Sequence, residues 1–208
     1  MNISKFLFID AASAIVLILL LFLFQARDKK IPSFFSSTKE KLLEKTTYEF
    51  PNKEKLLDLE MLSRSQGSGI EFDSLVGDWK FISVWKRDAD EEDSIFSSLL
   101  RFFSAKLKLK KDISTESPIE FSIITSIQFG FFTIEFSGSA YLKGKQPLLS
   151  FFFNLIELKS GPNILFSRSL DEPSENAKPF FSLIALGENC GWFSARGQGG
   201  AIVLWLKL

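Results

Sequence analysis

Arg196, Gly197, Gly199 and Gly200 stand within five residues near the end of the chain. Such a group invites phosphate chemistry: backbone N–H groups of a glycine loop surround an anion while the arginine takes two of its oxygens. A phosphate loop, however, follows a strand, opens a helix and closes on Lys-Ser or Lys-Thr. Here the glycines run into Ala-Ile-Val-Leu-Trp, a β-branched stretch that leaves no helix N-terminus to hold a phosphate. The segment reads instead as the corner of a barrel, where glycine supplies backbone angles that other residues avoid.

What the chain lacks limits the remaining chemistry. There is no histidine in 208 residues, which removes histidine-dependent triads, the common zinc sites and the usual neutral-pH proton shuttle. Cys190 is the only cysteine, so a disulfide framework and a cysteine-rich metal site are both excluded, and with no histidine to activate it the thiol reads as a core or bystander group. An enzyme would have to work with carboxylates, lysine or serine. The acidic run Asp88, Asp90, Glu91, Glu92 and Asp93 lacks the glycine and the terminal bidentate glutamate of a calcium loop, and is expected as a solvated loop. Lys143 and Lys145 flank a turn and are expected to face water. Glu120, Glu135 and Glu157 each interrupt an apolar strand pattern; a two-residue alternation turns them outward, whereas an inward carboxylate would be the place to look for catalysis. No catalytic residue, metal ligand or cofactor is assigned.

Charge and composition point the same way. The 25 basic and 25 acidic side chains cancel, and setting aside residues 1–30, with four basic and two acidic groups, leaves 21 against 23. That balance argues against a nucleic-acid partner, which requires a basic surplus. Twenty-four phenylalanines stand against two tyrosines. Phenylalanine contributes large buried area without a polar handle, which suits the wall of an apolar cavity.

The elements that would position these residues fall into two parts. Phe6 to Phe24 is an apolar run of 19 residues whose one charged member is Asp10, about 28 Å long as a helix and close to the hydrocarbon thickness of a bilayer. A cleaved signal would have a shorter apolar core and a small-residue cleavage site, and a buried core helix would not be apolar all round beside a linker; a single membrane anchor is expected. Arg27, Lys29 and Lys30 follow the run while only Lys5 precedes it, which places the rest of the chain on the cytoplasmic side. Residues 1–30 are thus expected as an anchor with its flanks, 31–40 as a linker and 41–208 as the folded domain.

That domain opens with helical signals. Ser37 or Thr38 is a candidate cap for a short helix through "KLLEK", and Pro51-Asn52 starts a second one that stops at Gly67, with Leu56, Leu57, Leu59 and Leu62 as its apolar stripe. From Ser74 onward the pattern becomes short apolar segments punctuated by Gly, Pro, Asn and acidic residues, at least seven strand candidates in all. Between the first two, Phe96, Leu99, Leu100 and Phe103 fall at helical spacing with Arg101 and Lys106 nearby, either a membrane-surface helix or a helix feeding a strand. Regular short strands after a helical start predict a mainly β (α+β) domain, an antiparallel barrel or half-barrel with a helical lid.

Gly77-Asp78-Trp79 at the start of the first strand is the short motif with which lipocalin-like barrels begin, and in them an arginine near the last strand stacks on the tryptophan to close one end; Arg196 is the candidate here. Over residues 38–208 the chain resembles the plastid-lipid-associated proteins (fibrillins) of chloroplasts and cyanobacteria, through "KLLEK", "KEKLLDLEML", "LVGDWKFISVW", "FSGSAYL" and "ARGQGGAIVLWLK". The resemblance implies a lipocalin-like barrel that binds or organises a lipid, quinone or pigment at a thylakoid-type membrane. Two departures stand out: the family carries an aspartate and a second arginine where this chain has Gly191 and Phe193, and its members usually reach the membrane without an N-terminal span.

The expected function is non-catalytic: a single-pass thylakoid or inner-membrane protein whose barrel holds a hydrophobic small molecule. The expected closure and lining residues are Trp79, Phe81, Phe121, Phe131, Phe136, Phe152 and Arg196; the expected membrane surface is Phe96, Leu99, Leu100, Arg101, Phe103 and Lys106. Membrane lipid is the expected partner. The alternative is a membrane-anchored scaffold whose barrel is filled by its own side chains and which acts through protein contacts.

Overall fold

The computed structural model describes residues 50–87, 89–111, 120–144 and 147–208. The expected anchor, the linker, the short helix around "KLLEK", Asp88 and Lys145 lie outside the described residues. Among the described residues no helix is long and apolar enough to cross a membrane.

The first element is helix α1 (Lys53–Gln66), started by Asn52, whose side-chain oxygen accepts the Lys55 N–H at 2.9 Å, and ended at Gly67, whose N–H bonds back to the Ser63 carbonyl. A single turn, α2 (Phe72–Leu75), follows, then strand β1 (Gly77–Trp85), helix α3 (Ser94–Phe102) and eight further strands. These are β2 (Lys106–Lys111), β3 (Glu120–Phe129), β4 (Phe132–Lys143), β5 (Leu148–Ser160), β6 (Asn163–Ser169), β7 (Phe180–Leu186), β8 (Trp192–Gly197) and β9 (Ile202–Lys207). The domain is mainly β, as the segment pattern predicts.

Eight strands close into an antiparallel ring in the order β1, β2, β3, β4, β5, β7, β8, β9 and back to β1. The half-barrel alternative is thereby removed. Strand β6 stands outside the ring: the last part of β5, from Leu155 onward, pairs with β6 while its first rungs, Leu148 to Ser150, pair with β7. The β5–β6 hairpin therefore projects past the ring at one end, here called the mouth, where the β3–β4 and β8–β9 turns also lie. The opposite end, where Gly77 and Lys207 meet, is the floor.

Strand β2 is the strand that a helix over Phe96–Phe103 is expected to feed, and strand β8 is additional to the segments the sequence pattern marks. Lys106–Lys111 alternates lysine and leucine, and Leu107 and Leu109 face inward, so its period of two ends the helical pattern at Phe102. Strand β8 is hidden in the sequence because six residues ending in Arg-Gly read as part of the corner that follows. The corner itself is as expected: Gly197 N–H bonds Ala201 O at 2.9 Å, and Gly200 turns the chain with φ +90°. Another close approach fixes Gly138, which faces the β5 bulge; a Cβ there would stand 2.0 Å from the Phe152 carbonyl oxygen.

Apolar residues pack in two layers. One fills the ring from Trp79 and Leu109 at the floor to Phe151, Phe153 and Trp205 above. The other lies between α1 and the outer wall, joining Leu56 to Ile82, Ile184, Ile202 and Leu204. Helix α1 is therefore a brace on the wall and not the expected lid. Its buried face is Leu56, Glu60 and Ser63 with Leu59 beside them, while Leu57 and Leu62 of the expected stripe are exposed. Two polar residues take their place because each finds a partner on the wall: Ser63 Oγ donates to Leu183 O at 3.3 Å, and Glu60 meets Arg196.

Candidate functional site

Inward residues of β1, β3, β5, β7 and β9 leave space in the mouth half of the ring. The resulting cavity has a volume of about 200 Å³ and is lined by Phe81, Ile123, Phe151, Phe153, Phe181 and Trp205 along its walls. Helix α3 covers it, with Phe96 and Leu100 turned down into the space. The polar contributions come from Thr125, which donates to Lys106 O at 3.2 Å, and from the exposed Lys106, beside which the cavity reaches the surface.

Local chemistry explains why α3 sits there. Asp93 accepts the Phe96 N–H at 3.0 Å as the helix cap. Ser97, fully buried, accepts the Val84 N–H at 2.9 Å and so supplies the partner that β1 lacks at its end. Arg101, also buried, donates to Ile82 O, to Glu92 at 3.0 Å and to Ser98 at 3.1 Å. The acidic run thus holds the cover in place: Glu92 and Asp93 serve α3, and Asp90 lies 4.0 Å from Lys53 of α1.

The expected lining and closure residues separate into three groups. Trp79, Phe81, Phe121 and Phe136 all point into the ring, but only Phe81 borders the open space; Trp79 and Phe121 are packed solid near the floor, and Phe136, opposite Thr125 and 5.6 Å from Phe153, is packed behind the cavity wall. Phe131 is at the tip of the β3–β4 turn with 87% of its surface exposed. Phe152 falls between the inward Phe151 and Phe153 and so faces outward, with Lys178 Nζ 4.8 Å above its ring. Lys178 itself is clamped by Glu172 and Glu175, whose hydrogen bonds push its pKa up.

Arg196 does not close the floor. Trp79 pairs with Lys207 and Arg196 with Ile202, five residues apart along β9, which is about 17 Å at 3.3 Å per residue. Arg196 also faces the outer wall, while Trp79 faces inward. The cation over Trp79 is Lys207, its Nζ 5.2 Å from the ring centroid, and Gly77 is needed because a Cβ would meet the Lys207 chain at 2.9 Å where φ is +149°. Trp79 donates to Leu75 O at 2.8 Å and meets Phe193 edge-on at 4.7 Å; Phe193 in turn stacks on Trp205. Phe72 of α2 stacks on Phe121 at 3.9 Å, sealing the floor from below.

The expected membrane-surface set is also redistributed. Phe96 and Leu100 belong to the cavity, Arg101 is buried, Leu99 and Phe103 are half-buried, and Lys106 alone is exposed. A stripe at i, i+4 and i+7 serves a core face as well as a lipid face, and the hydrogen bonds of Ser97 and Arg101 decide between them. Glu135 and Glu157 stand opposite each other on the outer wall as expected, joined by Lys159 at 2.7 and 2.9 Å. The bond to Glu135, then that to Glu157, raises the Lys159 pKa against the opposing effect of burial.

A charged cluster outside the expected site lies on α1 and β8. On the outer wall Arg196 makes a two-point contact with Glu60, and Arg64 bonds the same carboxylate at 2.8 Å. Burial pushes the Glu60 pKa up, but hydrogen bonds from Arg196 and Arg64 outweigh it and hold the carboxyl below its usual range. Its hydrogen bond to Glu60 raises the Arg196 pKa in return. Arg64 and Arg196 border an open cleft of about 620 Å³ that also contains Arg87, Gln198 and Gly200. The signal in the sequence is a charged residue at position 60, four residues after Leu56 on the buried stripe. Among the described residues no group of histidine, cysteine and carboxylate side chains could hold a metal ion. No family model, no curated protein and no solved structure matches the chain.

Proposed function

We propose that this protein holds a slender apolar molecule, an acyl or prenyl chain, in the mouth half of a membrane-tethered lipocalin-like barrel, without catalysing a reaction on it. The observation that carries the reading is the apolar cavity beneath α3. About 200 Å³ accommodates about seven methylene-sized groups at ~30 Å³ each, which suits part of a chain better than a ring system. The packed floor makes the site blind, so the remainder of such a molecule leaves past Lys106. The scaffold alternative calls for a filled interior, which describes only the floor half. Kinship to the plastid-lipid-associated proteins belongs to the same proposal: an up-and-down ring of eight strands beginning at Gly-Asp-Trp supports it.

The test uses the full chain, purified in digitonin, a detergent too bulky for the cavity, and titrated with a polyene fatty acid that fluoresces in apolar surroundings. Saturable binding is expected. Val203 lines the cavity from β9, and Val203→Phe takes room for about two methylenes, worth about 0.8 kcal/mol each, so affinity falls about tenfold. The melting temperature stays within about 2 °C of the parent, since the phenyl group occupies space that was empty. Unchanged affinity in the variant, or no saturable binding by the parent, would count against the reading.

A further inference from the structure

Of the twelve exposed large apolar side chains among the described residues, Leu57, Met61 and Leu62 of α1, Ile95 and Leu208 lie apart, and the other seven gather at the mouth. Phe102 ends α3; Phe129, Phe131 and Phe132 form the β3–β4 tip; Ile164 and Phe166 lie on the projecting β5–β6 hairpin. The structure joins them into one belt. Phe102 and Phe103 meet edge to face at 5.2 Å, the Phe103 carbonyl accepts the Gln128 N–H at 2.7 Å, and Phe129 lies 5.7 Å from Phe132. Phe132 pairs with Ser160, which pairs with Asn163 beside Ile164. Phe129 stands two residues above Ile127, which lines the cavity, so the belt rims the mouth.

We propose that this mouth belt docks on a lipid surface, with the β3–β4 and β5–β6 tips inserted and the cavity opening into the acyl layer. The inference deepens the proposed function and rests on its membrane tether, since it names the face that meets the membrane and the source of the bound chain. Three features select a lipid surface over a second copy of the chain. The apolar residues sit on projecting turns, with nothing within 4 Å of a Cβ at either Gly130 or Gly161. A fluid acyl layer fills the space between such tips, whereas a rigid partner leaves voids. Lys106, where the cavity reaches the surface, stands opposite Lys80 on the outer wall, with no carboxylate ion-paired to either among the described residues, a like-charge pair that anionic headgroups neutralise. Finally, the chain outside the structure joins at this end: Lys53, three residues after the first described residue, bonds Ala89 O in the loop that leads to α3. That chain carries the apolar run Phe6–Phe24, and the intervening 25 residues span up to about 80 Å, enough to let the mouth reach the bilayer.

The experiment places a reporter indole at the tip of the full chain. Phe131→Trp is reconstituted into vesicles of phosphatidylcholine with one third phosphatidylglycerol, their acyl chains brominated, and its emission is compared with the parent's. Leu208→Trp, at the exposed floor end, is the control. The expected result is a blue shift and at least twofold quenching of the signal added by the tip reporter, with the signal of the floor reporter changed by less than a tenth. Three results overturn the proposal: a tip reporter left unquenched while the chain floats with the vesicles, both reporters quenched alike, or a concentration-dependent blue shift of the tip reporter without lipid, which assigns the belt to a second copy. A chain that does not float overturns it as well, by removing the tether. The fatty-acid titration in digitonin reports on the cavity independently of all four.

Discussion

Replacing Trp79 by alanine is expected to lower the melting temperature by about 8–16 °C. The indole is fully buried, and removing a core tryptophan costs about 4 kcal/mol through lost transfer energy and the cavity left behind. At 2–4 °C per kcal/mol for a domain of this size, the shift follows. Three further losses keep the estimate from being low: the hydrogen bond to Leu75 O, the edge contact with Phe193 and the underside of the Lys207 chain. Lys207→Met separates packing from charge. It keeps the apolar stem over the ring and removes only the cation, worth about 0.5–1 kcal/mol at an exposed site. Thermal unfolding by circular dichroism measures both. A Trp79 variant within 3 °C of the parent would mean that the floor is not a closed, packed seal.

Glu60→Ala ranks second, with an expected loss of about 3 kcal/mol at pH 7. Glu60 is buried and bonded to Arg196 and Arg64. Breaking a buried pair from one side strands the partner's charge and costs 3–5 kcal/mol, and about 3 is appropriate where Arg64 is open to solvent. The loss also depends on pH. Because the folded-state pKa of Glu60 lies below its ordinary value of 4.5, the stabilisation is fully present above that value and disappears as pH falls through the lower folded value. Urea unfolding of parent and variant at pH 7, 5, 4 and 3.5 should therefore show a gap that is constant from 7 to 5 and narrows below about 4.5. A gap independent of pH would mean that the carboxylate does not carry the brace. The double replacement Glu60→Met with Arg196→Met should recover most of the loss, since apolar groups of similar size tolerate burial without a partner.

The site was legible only in part, and particular residues show why. Trp79, Phe121 and Phe136 could be called interior because strands with one wet face alternate, and a phenylalanine on the correct parity goes in. Phe152 fails by one position: its neighbours Phe151 and Phe153 are equally apolar, so the run "FFF" carries no parity of its own. The ladder to Ala140 and Gly138 sets it. Phe131 fails for a different reason, since it falls in a turn where no alternation applies. The stripe of Phe96, Leu100 and Phe103 was recognised as a face of a helix, but its direction was settled by Ser97 and Arg101, whose partners on β1 are far away in sequence. Leu57 and Leu62 were exposed by the same mechanism, as Glu60 and Ser63 found partners on β8 and β7.

By itself the sequence determined the class of the domain, the start of α1 at Asn52, the β8–β9 corner, the outward Glu135 and Glu157, and an interior built from phenylalanine and tryptophan. These follow from periods of two and 3.6 residues, caps and glycine turns, all of which act over a few neighbours. Closure of the ring, the cavity beneath α3, the exchange of Lys207 for Arg196 over Trp79 and the grouping of exposed phenylalanines at one end were decided only by tertiary structure. Each depends on strand register, and register brings together residues 100 or more positions apart in the chain, such as Trp79 with Lys207 and Phe81 with Trp205. No local pattern encodes such a pairing, because the free energy that selects it comes from burying the whole set of inward side chains at once.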